Sequence, residues 1–160
     1  MKVFISHQSK DEEISRKIAN RLRTLHNIES YLDVIDRFID GPINALGDHI
    51  RNEMGKCTQL LAVVSPATQG SQWVPWEIGV ATEKNFPLAT YCSGQQPTLE
   101  FLRKWPYLSN EADLDSYAEI SKTVNAVRVQ KLMSTSSNAL ARNLTTPDFF
   151  RSLKAALRQT

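Results

Sequence analysis

The sequence predicts an α/β fold with a parallel sheet of about five strands and helices on both of its faces. Short apolar runs at residues 3–5, 30–34, 59–65 and 88–92 alternate with segments of helical periodicity. The run at 59–65 is almost unbroken, which is typical of a strand buried on both faces of a parallel sheet. Short connections and right-handed crossovers then place the helices on both sides of that sheet.

Each helix in the first half of the chain has its own sequence signal. Ser9 and Glu12 have the spacing of a capping box, which predicts that Ser9 caps the first helix. An apolar residue at every third or fourth position continues this helix to about Asn27. A second apolar stripe spans residues 46–57, and a third helix is expected over residues 73–85.

The second half of the chain divides into a helix, a connector and a last helix. The expected elements are a short helix over 98–103, an edge strand at 107–108, a helix over 113–133 and a last helix over 149–158. Serine, threonine and asparagine at residues 134–138 predict a flexible connector. We therefore predict a domain over residues 1–133, a connector over 134–146 and a C-terminal helix over 147–160 that packs on or extends the domain.

Composition excludes several functional classes. A formal net charge of +2 is too small to predict nucleic-acid binding, and no apolar run is long enough for a membrane span. Cys57 and Cys92 are isolated, which favours reduced thiols and a cytoplasmic protein. His7, His26 and His49 lack the spacing of metal ligands. No G-x-G-x-x-G segment is present, which disfavours a dinucleotide-dependent redox enzyme.

Three segments are expected to meet at one edge of the sheet, because ligands of such folds bind outside the carboxyl ends of the strands. These segments are residues 6–9, 33–41 and 65–77. The last of them ends in Glu77, which we predict to lie in the first turn of the third helix. An acid there is either a catalytic group or a side chain that only stabilises the helix N-terminus, and the spacing supports both readings equally.

The same segments resemble the Toll/interleukin-1 receptor (TIR) domain family. V-F-I-S-H at residues 3–7 followed by S-K-D at 9–11 is similar to the family's first box, F-I-S-[HY]-x-x-x-D. Residues 61–66 resemble its third strand with a V-x-S-P ending, and residues 71–77 match its S-x-W-V-x-x-E segment. Y-L-D-V at residues 31–34 is similar to the second strand. The loop after Asp33 is longer than the family pattern, and its acids are placed differently.

The resemblance implies a flavodoxin-like TIR fold and one of two functions. TIR domains are either adaptors that assemble signalling complexes or enzymes that cleave the nicotinamide-ribose bond of NAD+, and the enzymes carry a glutamate at the position of Glu77. We therefore expect a bacterial, free-standing NAD+ nucleosidase or ADP-ribosyl cyclase of antiphage defence signalling. It would use NAD+ as substrate, need no cofactor and form homo-oligomers through TIR contacts. A separate sensor or effector protein is its expected partner, and no nucleic acid or membrane is expected.

A single carboxylate is sufficient for this reaction. Hydrolysis of an O-glycoside needs two carboxyl groups, because the leaving oxygen must be protonated. The nicotinamide nitrogen of NAD+ is already cationic and leaves as a neutral amide, so that Glu77 alone can stabilise positive charge on the ribose. Ser6, His7, Gln8 and Ser9 follow the first strand, where backbone N–H groups and short polar side chains suit a phosphate or ribose.

Three more residues are expected around that carboxylate, two from the resemblance and one from helical spacing. Asp33 and Asp40 bracket the loop that covers the adenosine end of NAD+ in enzymatic relatives. Trp73 precedes Glu77 by four residues, so that it shares a helix face with Glu77 and either walls the nicotinamide pocket or anchors the helix to the sheet. Ser9 either contacts the ligand or only caps its helix, and Asp33 either binds the ligand or only ends its strand.

Two other functions remain open. A non-catalytic adaptor would use residues 36–47 and the third helix for contacts between copies. A nucleoside deoxyribosyltransferase-like enzyme would use a comparable sheet and a glutamate on a nucleoside. A phosphoreceiver is disfavoured because the third strand ends in Ser65 instead of an aspartate.

Overall fold

A five-stranded parallel sheet forms the centre of the protein, in a computed structural model that describes residues 1–32, 43–92, 97 and 99–160. The strands are β1 Lys2–Ser6, β2 Glu29–Leu32, β3 Gln59–Val63, β4 Leu88–Tyr91 and β5 Tyr107–Leu108. Their spatial order is β2-β1-β3-β4-β5, and each adjacent pair is parallel. The predicted fold class is therefore confirmed, including the edge strand at Tyr107.

Helices cover both faces of the sheet. They are α1 Glu12–His26, α2 Ile43–Gly55, α3 Trp73–Glu83, α4 Glu111–Thr135 and α5 Asn138–Ala156. Short 3-10 segments lie at Ser9–Asp11, Pro66–Gly70 and Glu100–Lys104. Strand residues alternate between the faces, so that Phe4 and Leu60 pack with α2 and α3, whereas Val3 and Leu61 pack with α1, α4 and α5. The sheet thus separates two hydrophobic layers.

The start of α1 differs from the predicted capping box. Residues Ser9–Asp11 form a 3-10 turn, and the backbone N–H of Lys10 donates to Gln8 Oε1 at 3.0 Å. The α-helix begins only at Glu12, so that Ser9 does not cap it, and that prediction is wrong. The end of the helix is confirmed, because Asn27 adopts a left-handed conformation with φ 53° and closes the last turn.

The predicted connector over 134–146 and the helix start at Pro147 are also wrong as secondary structure. The chain turns at Ser136, and α5 begins at Asn138, where the Leu140 N–H donates to Ser137 Oγ at 3.3 Å. Pro147 lies inside the helix. Four buried residues at intervals of four stabilise the helix on both sides of this proline: Ala141, Thr145, Phe149 and Leu153. Packing of this stripe overrides the local preference of proline for a helix start.

The chain end also covers the exposed edge of the sheet. The side-chain amide of Gln159 accepts from the Tyr107 N–H at 3.1 Å and donates to the Tyr107 carbonyl oxygen at 2.6 Å. These are the two backbone groups that an edge strand leaves open to another chain. The C-terminal helix and its last residues are therefore packed on the rest of the protein.

An ionic contact joins α1 to α4. Arg21 donates to both carboxylate oxygens of Asp115 at 2.9 and 2.8 Å and to Glu111 at 2.7 Å. His26 Nε2 lies 2.8 Å from Asp115 Oδ1, and its Nδ1 lies 3.0 Å from Glu119. The hydrogen bonds from Arg21, followed by those from His26, lower the pKa of Asp115 from 3.8 to about 2.

The lowered pKa of Asp115 predicts a specific acid dependence of stability. A carboxyl whose folded-state pKa is depressed contributes its stability above the unfolded-state pKa and loses it as the pH falls through the folded-state pKa. Wild-type protein should therefore lose stability between about pH 4 and pH 2, and Asp115→Asn should flatten that part of the profile. Urea unfolding at several pH values measures this. An unchanged profile in Asp115→Asn would contradict the assignment.

Burial of Phe149 predicts that α5 is part of the cooperative core. Its ring lies edge-on to Tyr117 with centroids 6.0 Å apart, and its side chain is fully buried. Phe149→Ala should lower the free energy of unfolding by about 3–5 kcal/mol in urea denaturation. Arg151→Ala, on the exposed side of the same helix, should change it by less than about 0.5 kcal/mol. If Phe149→Ala lowered the free energy of unfolding as little as Arg151→Ala does, α5 would not be part of the cooperative core.

Candidate active site

The candidate site lies where the order of the strands reverses. β1 and β3 are adjacent in the sheet, and their chains continue toward opposite edges, which is where folds of this class have a ligand-binding crevice outside the carboxyl ends of the strands. Ser6 is the last residue of β1 and pairs in register with Ala62 of β3. It lies two residues after Phe4, so that its side chain points to the face covered by α2 and α3.

Glu77 is brought to this point by α3. The side chains of Ser6 and Glu77 are both 0% exposed, and the Ser6 hydroxyl donates a hydrogen bond to Glu77 Oε2. Carboxylates are rarely buried to this degree in proteins, because removing the charged form from water is costly. A hydroxyl donor reduces that cost. The structure thus brings together two of the predicted site residues that are 71 positions apart in the sequence.

The predicted position of Glu77 within its helix is wrong. α3 begins at Trp73 and has no acidic residue in its first turn, and Glu77 is its fifth residue. At 3.6 residues per turn, Glu77 belongs to the second turn. The helix N-terminus therefore does not account for the placement of this carboxylate, and neither does a helix-capping role. Its environment is set by the fold, through Ser6 and the α2–α3 layer.

A second hydrogen bond joins the loops after β1 and β3. Ser65 Oγ donates to Asp11 Oδ2 at 2.8 Å and also accepts from the Ala67 N–H at 3.1 Å. Ser65 and Thr68 form a capping box at the segment Pro66–Gly70. Neither Asp11 nor Ser65 was predicted as a ligand-binding or catalytic residue, although Ser65 begins one of the segments expected at this edge. The sequence does contain a signal for each residue. Ser65 stands directly before a proline, which is typical of a helix cap, and Asp11 is the aspartate of the first family box.

The other residues predicted after β1 have local contacts. His7 is buried, and its Nδ1 lies 3.4 Å from the Ile5 carbonyl oxygen. Gln8 turns its side chain back to the N–H of Lys10, and Ser9 is exposed at the start of the 3-10 turn. Their proposed contacts with a ligand stay predictions. Asp33 and Asp40 lie outside the described residues.

Trp73 packs in the layer formed by α2 and α3. It is half-buried against the hydrophobic core, and its ring meets Trp76 edge-on with centroids 5.5 Å apart. Trp76 in turn lies against Gly47 of α2, where an added Cβ would stand 3.9 Å from the indole. These contacts support an anchoring role for Trp73. Its position one turn before Glu77 is also compatible with a pocket wall.

The two thiols and the described metal-binding residue types were compared with the needs of a reactive or metal centre. Burial raises the pKa of Cys57 and of Cys92 to about 11, so both remain protonated thiols and poor nucleophiles at neutral pH. Within residues 1–32, 43–92, 97 and 99–160, no group of three or more histidine, cysteine, aspartate or glutamate side chains is placed to hold a metal ion.

Comparison with known proteins gives one result. The family model described as TIR domain matches residues 3–121, roughly three quarters of the chain. The match includes both Ser6 and Glu77 and ends within α4, so that α5 lies beyond it. A search of curated proteins finds no match. In the part of the chain that the structure describes, no helix is long and apolar enough to cross a membrane.

The buried pair of Ser6 and Glu77 predicts a measurable stability effect. Ser6→Ala removes the donor and leaves a buried carboxylate oxygen without that hydrogen bond, which should cost about 1–3 kcal/mol of unfolding free energy. Ser9→Ala, a nearby exposed serine, is the matched control and should cost less than about 0.5 kcal/mol. Urea denaturation compares the two variants. Similar small effects in both would show that the hydrogen bond does not stabilise the fold.

Proposed function

This chain belongs to the TIR domain family, and from that premise we propose that it cleaves the nicotinamide-ribose bond of NAD+ with Glu77 as its catalytic residue. The observation that carries the proposal is a carboxylate fixed by Ser6 beneath the carboxyl ends of β1 and β3. TIR domains include both NAD+-cleaving enzymes and adaptors. A carboxylate at the ligand-binding edge of the sheet favours the enzyme.

The chemistry needs charge stabilisation more than proton transfer. The bond between the anomeric carbon and the nicotinamide nitrogen breaks, and its electron pair neutralises the pyridinium. The ionised Glu77 carboxylate stabilises the positive charge that develops on the ribose. Water then bonds to the anomeric carbon and releases a proton, which gives ADP-ribose. An adenine or ribose atom that attacks in place of water gives a cyclic ADP-ribose isomer.

Neighbouring groups have supporting roles in this proposal. The Ser6 hydroxyl orients the carboxylate through its hydrogen bond to Oε2. The polar segment His7, Gln8 and Ser9 contacts the phosphates or ribose of NAD+, and the bond between Asp11 and Ser65 holds the loops on either side of the crevice in place. In this proposal, the adenosine end of NAD+ is bound by Asp33 and Asp40, and the nicotinamide end is bordered by Trp73.

Burial of Glu77 implies that activity depends on a conformational or assembly step. A side chain that is 0% exposed cannot contact substrate until its surroundings open. TIR domains commonly self-associate. We propose that contact between copies exposes Glu77, so that turnover per subunit rises with protein concentration. NAD+ is the substrate, and the protein itself requires no bound cofactor.

The biological setting remains part of the proposal. Signal transduction is a plausible role for a TIR domain. We propose antiphage defence signalling in the bacterial cytoplasm, with a separate sensor or effector protein as partner. The two unpaired and buried cysteines support a reducing compartment.

A non-catalytic adaptor is the second candidate, and the burial of Glu77 favours it. In an adaptor, the fully buried Glu77 carboxylate and its bond to Ser6 would have the structural role of holding α3 against β1. Such a protein would assemble in a concentration-dependent manner without consuming NAD+. Light scattering combined with an assay of nicotinamide release distinguishes the two functions, because only the enzyme gives both signals.

The central prediction concerns Glu77→Gln. Glutamine keeps the size and the acceptor oxygen for Ser6 but removes the charge, so that nicotinamide release should fall at least about 100-fold while the fold is retained. Nicotinamide is measured by chromatography, and the second product is identified by mass spectrometry. Glu83→Gln, an exposed acid on the same helix, should keep wild-type activity.

Two outcomes would contradict the proposed function. An assembled wild-type protein that releases no nicotinamide, in an assay where an active TIR enzyme does, would exclude NAD+ cleavage. Wild-type turnover in a correctly folded Glu77→Gln would remove Glu77 from the catalytic role.

A further inference from the structure

Two arginines meet on the helical hairpin formed by α4 and α5. Arg128 of α4 donates to Asn138 Oδ1 at 3.1 Å, and Asn138 lies one turn before Arg142 on α5. Both arginines are half-buried. Burial lowers the pKa of Arg142, and the nearby positive charge of Arg128 lowers it further. Two like charges thus share a partly dehydrated surface.

No carboxylate of this hairpin neutralises these charges. The sequence contains no aspartate or glutamate between Glu119 and Asp148, whereas Lys122, Arg128, Lys131 and Arg142 fall within that interval. Among the described residues, no aspartate or glutamate oxygen lies within 4.0 Å of either guanidinium group. Burial of a charge is costly unless a partner compensates it, so two half-buried arginines without an acid leave positive charge available to a ligand.

The hydrogen bonds that the chain does supply leave donors unused. Among the residues that the structure describes, Arg142 donates one hydrogen bond, from Nη1 to the Lys84 carbonyl oxygen at 3.0 Å, and its guanidinium lies 4.2 Å from the centroid of Phe86. Its Nε is buried without an acceptor. Arg128 donates to neutral amide oxygens of Asn125 and Asn138. A guanidinium has five N–H donors, so both groups have N–H groups to spare.

We propose that Arg128 and Arg142 form a binding site for an oxyanion, namely a phosphate or carboxylate group. A planar guanidinium presents paired donors that match the oxygens of such groups, and two of them side by side bind more strongly than either alone. Partial burial strengthens the attraction because it reduces screening by water.

The site is separate from the crevice that contains Glu77. Lys84 follows Glu77 by seven residues, or about 10 Å along the helix axis, and lies just after the C-terminal end of α3. Arg128 and Arg142 are also outside residues 3–121, the part of the chain that matches the TIR family. The hydrogen bond from Arg142 to the Lys84 carbonyl oxygen can be explained as a cap on the end of α3. A capping role for Arg142 does not explain why Arg128 lies near it.

Titration with sodium phosphate tests the site, with sodium chloride added to hold the ionic strength constant. Calorimetry and thermal unfolding should show saturable binding to the wild-type protein in the millimolar range. Arg128→Gln leaves the Arg142 contacts with α3 intact and should weaken phosphate binding about tenfold or more. Lys131→Gln, an exposed lysine on the same helix, should retain wild-type binding. Sodium acetate in a parallel titration shows whether a carboxylate is bound as well.

The controls make the result independent of NAD+ cleavage. Glu77→Gln should bind phosphate as the wild-type protein does, because Glu77 is seven residues, or about 10 Å along the helix axis, from Lys84. If Arg128→Gln does not fold by circular dichroism, Arg128→Lys replaces it, and weaker binding is still expected because lysine lacks the planar fork. Wild-type affinity in the folded Arg128 variant, or no saturable binding to the wild-type protein, would overturn the proposal.

Discussion

Burial of Glu77 is the constraint on which the site depends. The carboxylate is stabilised where it lies because β1 ends in a serine whose side chain faces α3, and because α2 and α3 exclude water from that face of the sheet. A carboxylate in this environment interacts more strongly with a nearby positive charge than it would in water. The same burial prevents contact with a ligand until the surroundings change. Burial therefore strengthens the electrostatic interaction of Glu77 with a positive charge and at the same time prevents a ligand from reaching Glu77.

α3 is fixed at two points, which connects the site to the end of the chain. Ser6 bonds to Glu77 in the second turn, and Arg142 and Thr146 of α5 bond to the carbonyl oxygens of Lys84 and Asn85 after the last turn, at 3.0 and 2.8 Å. The C-terminal helix therefore belongs to the structural frame of the site, although it lies outside the part of the chain that matches the family.

Local signals failed where a distant contact decided the outcome. Ser9 has the spacing of a cap, yet Asp11 is drawn to Ser65 and the first residues form a 3-10 turn. A threonine-proline pair resembles a helix start, yet α5 begins nine residues before Pro147, because its buried stripe packs against α4 from Ala141 onward. The start of α3 at Trp73 was predicted correctly, but Glu77 is its fifth residue and therefore lies in the second turn and not in the first.

The sequence by itself determined the alternation of strands and helices, the parallel sheet, the family and the identity of Glu77, because periodicity and short motifs are local properties of the chain. Only the tertiary structure decided that Glu77 is buried and bonded to Ser6, and that Asp11 meets Ser65. These partners are 71 and 54 positions apart. Such contacts arise from strand order and helix packing, to which no local pattern corresponds. The two unpaired arginines of the hairpin likewise came together only when α4 and α5 packed.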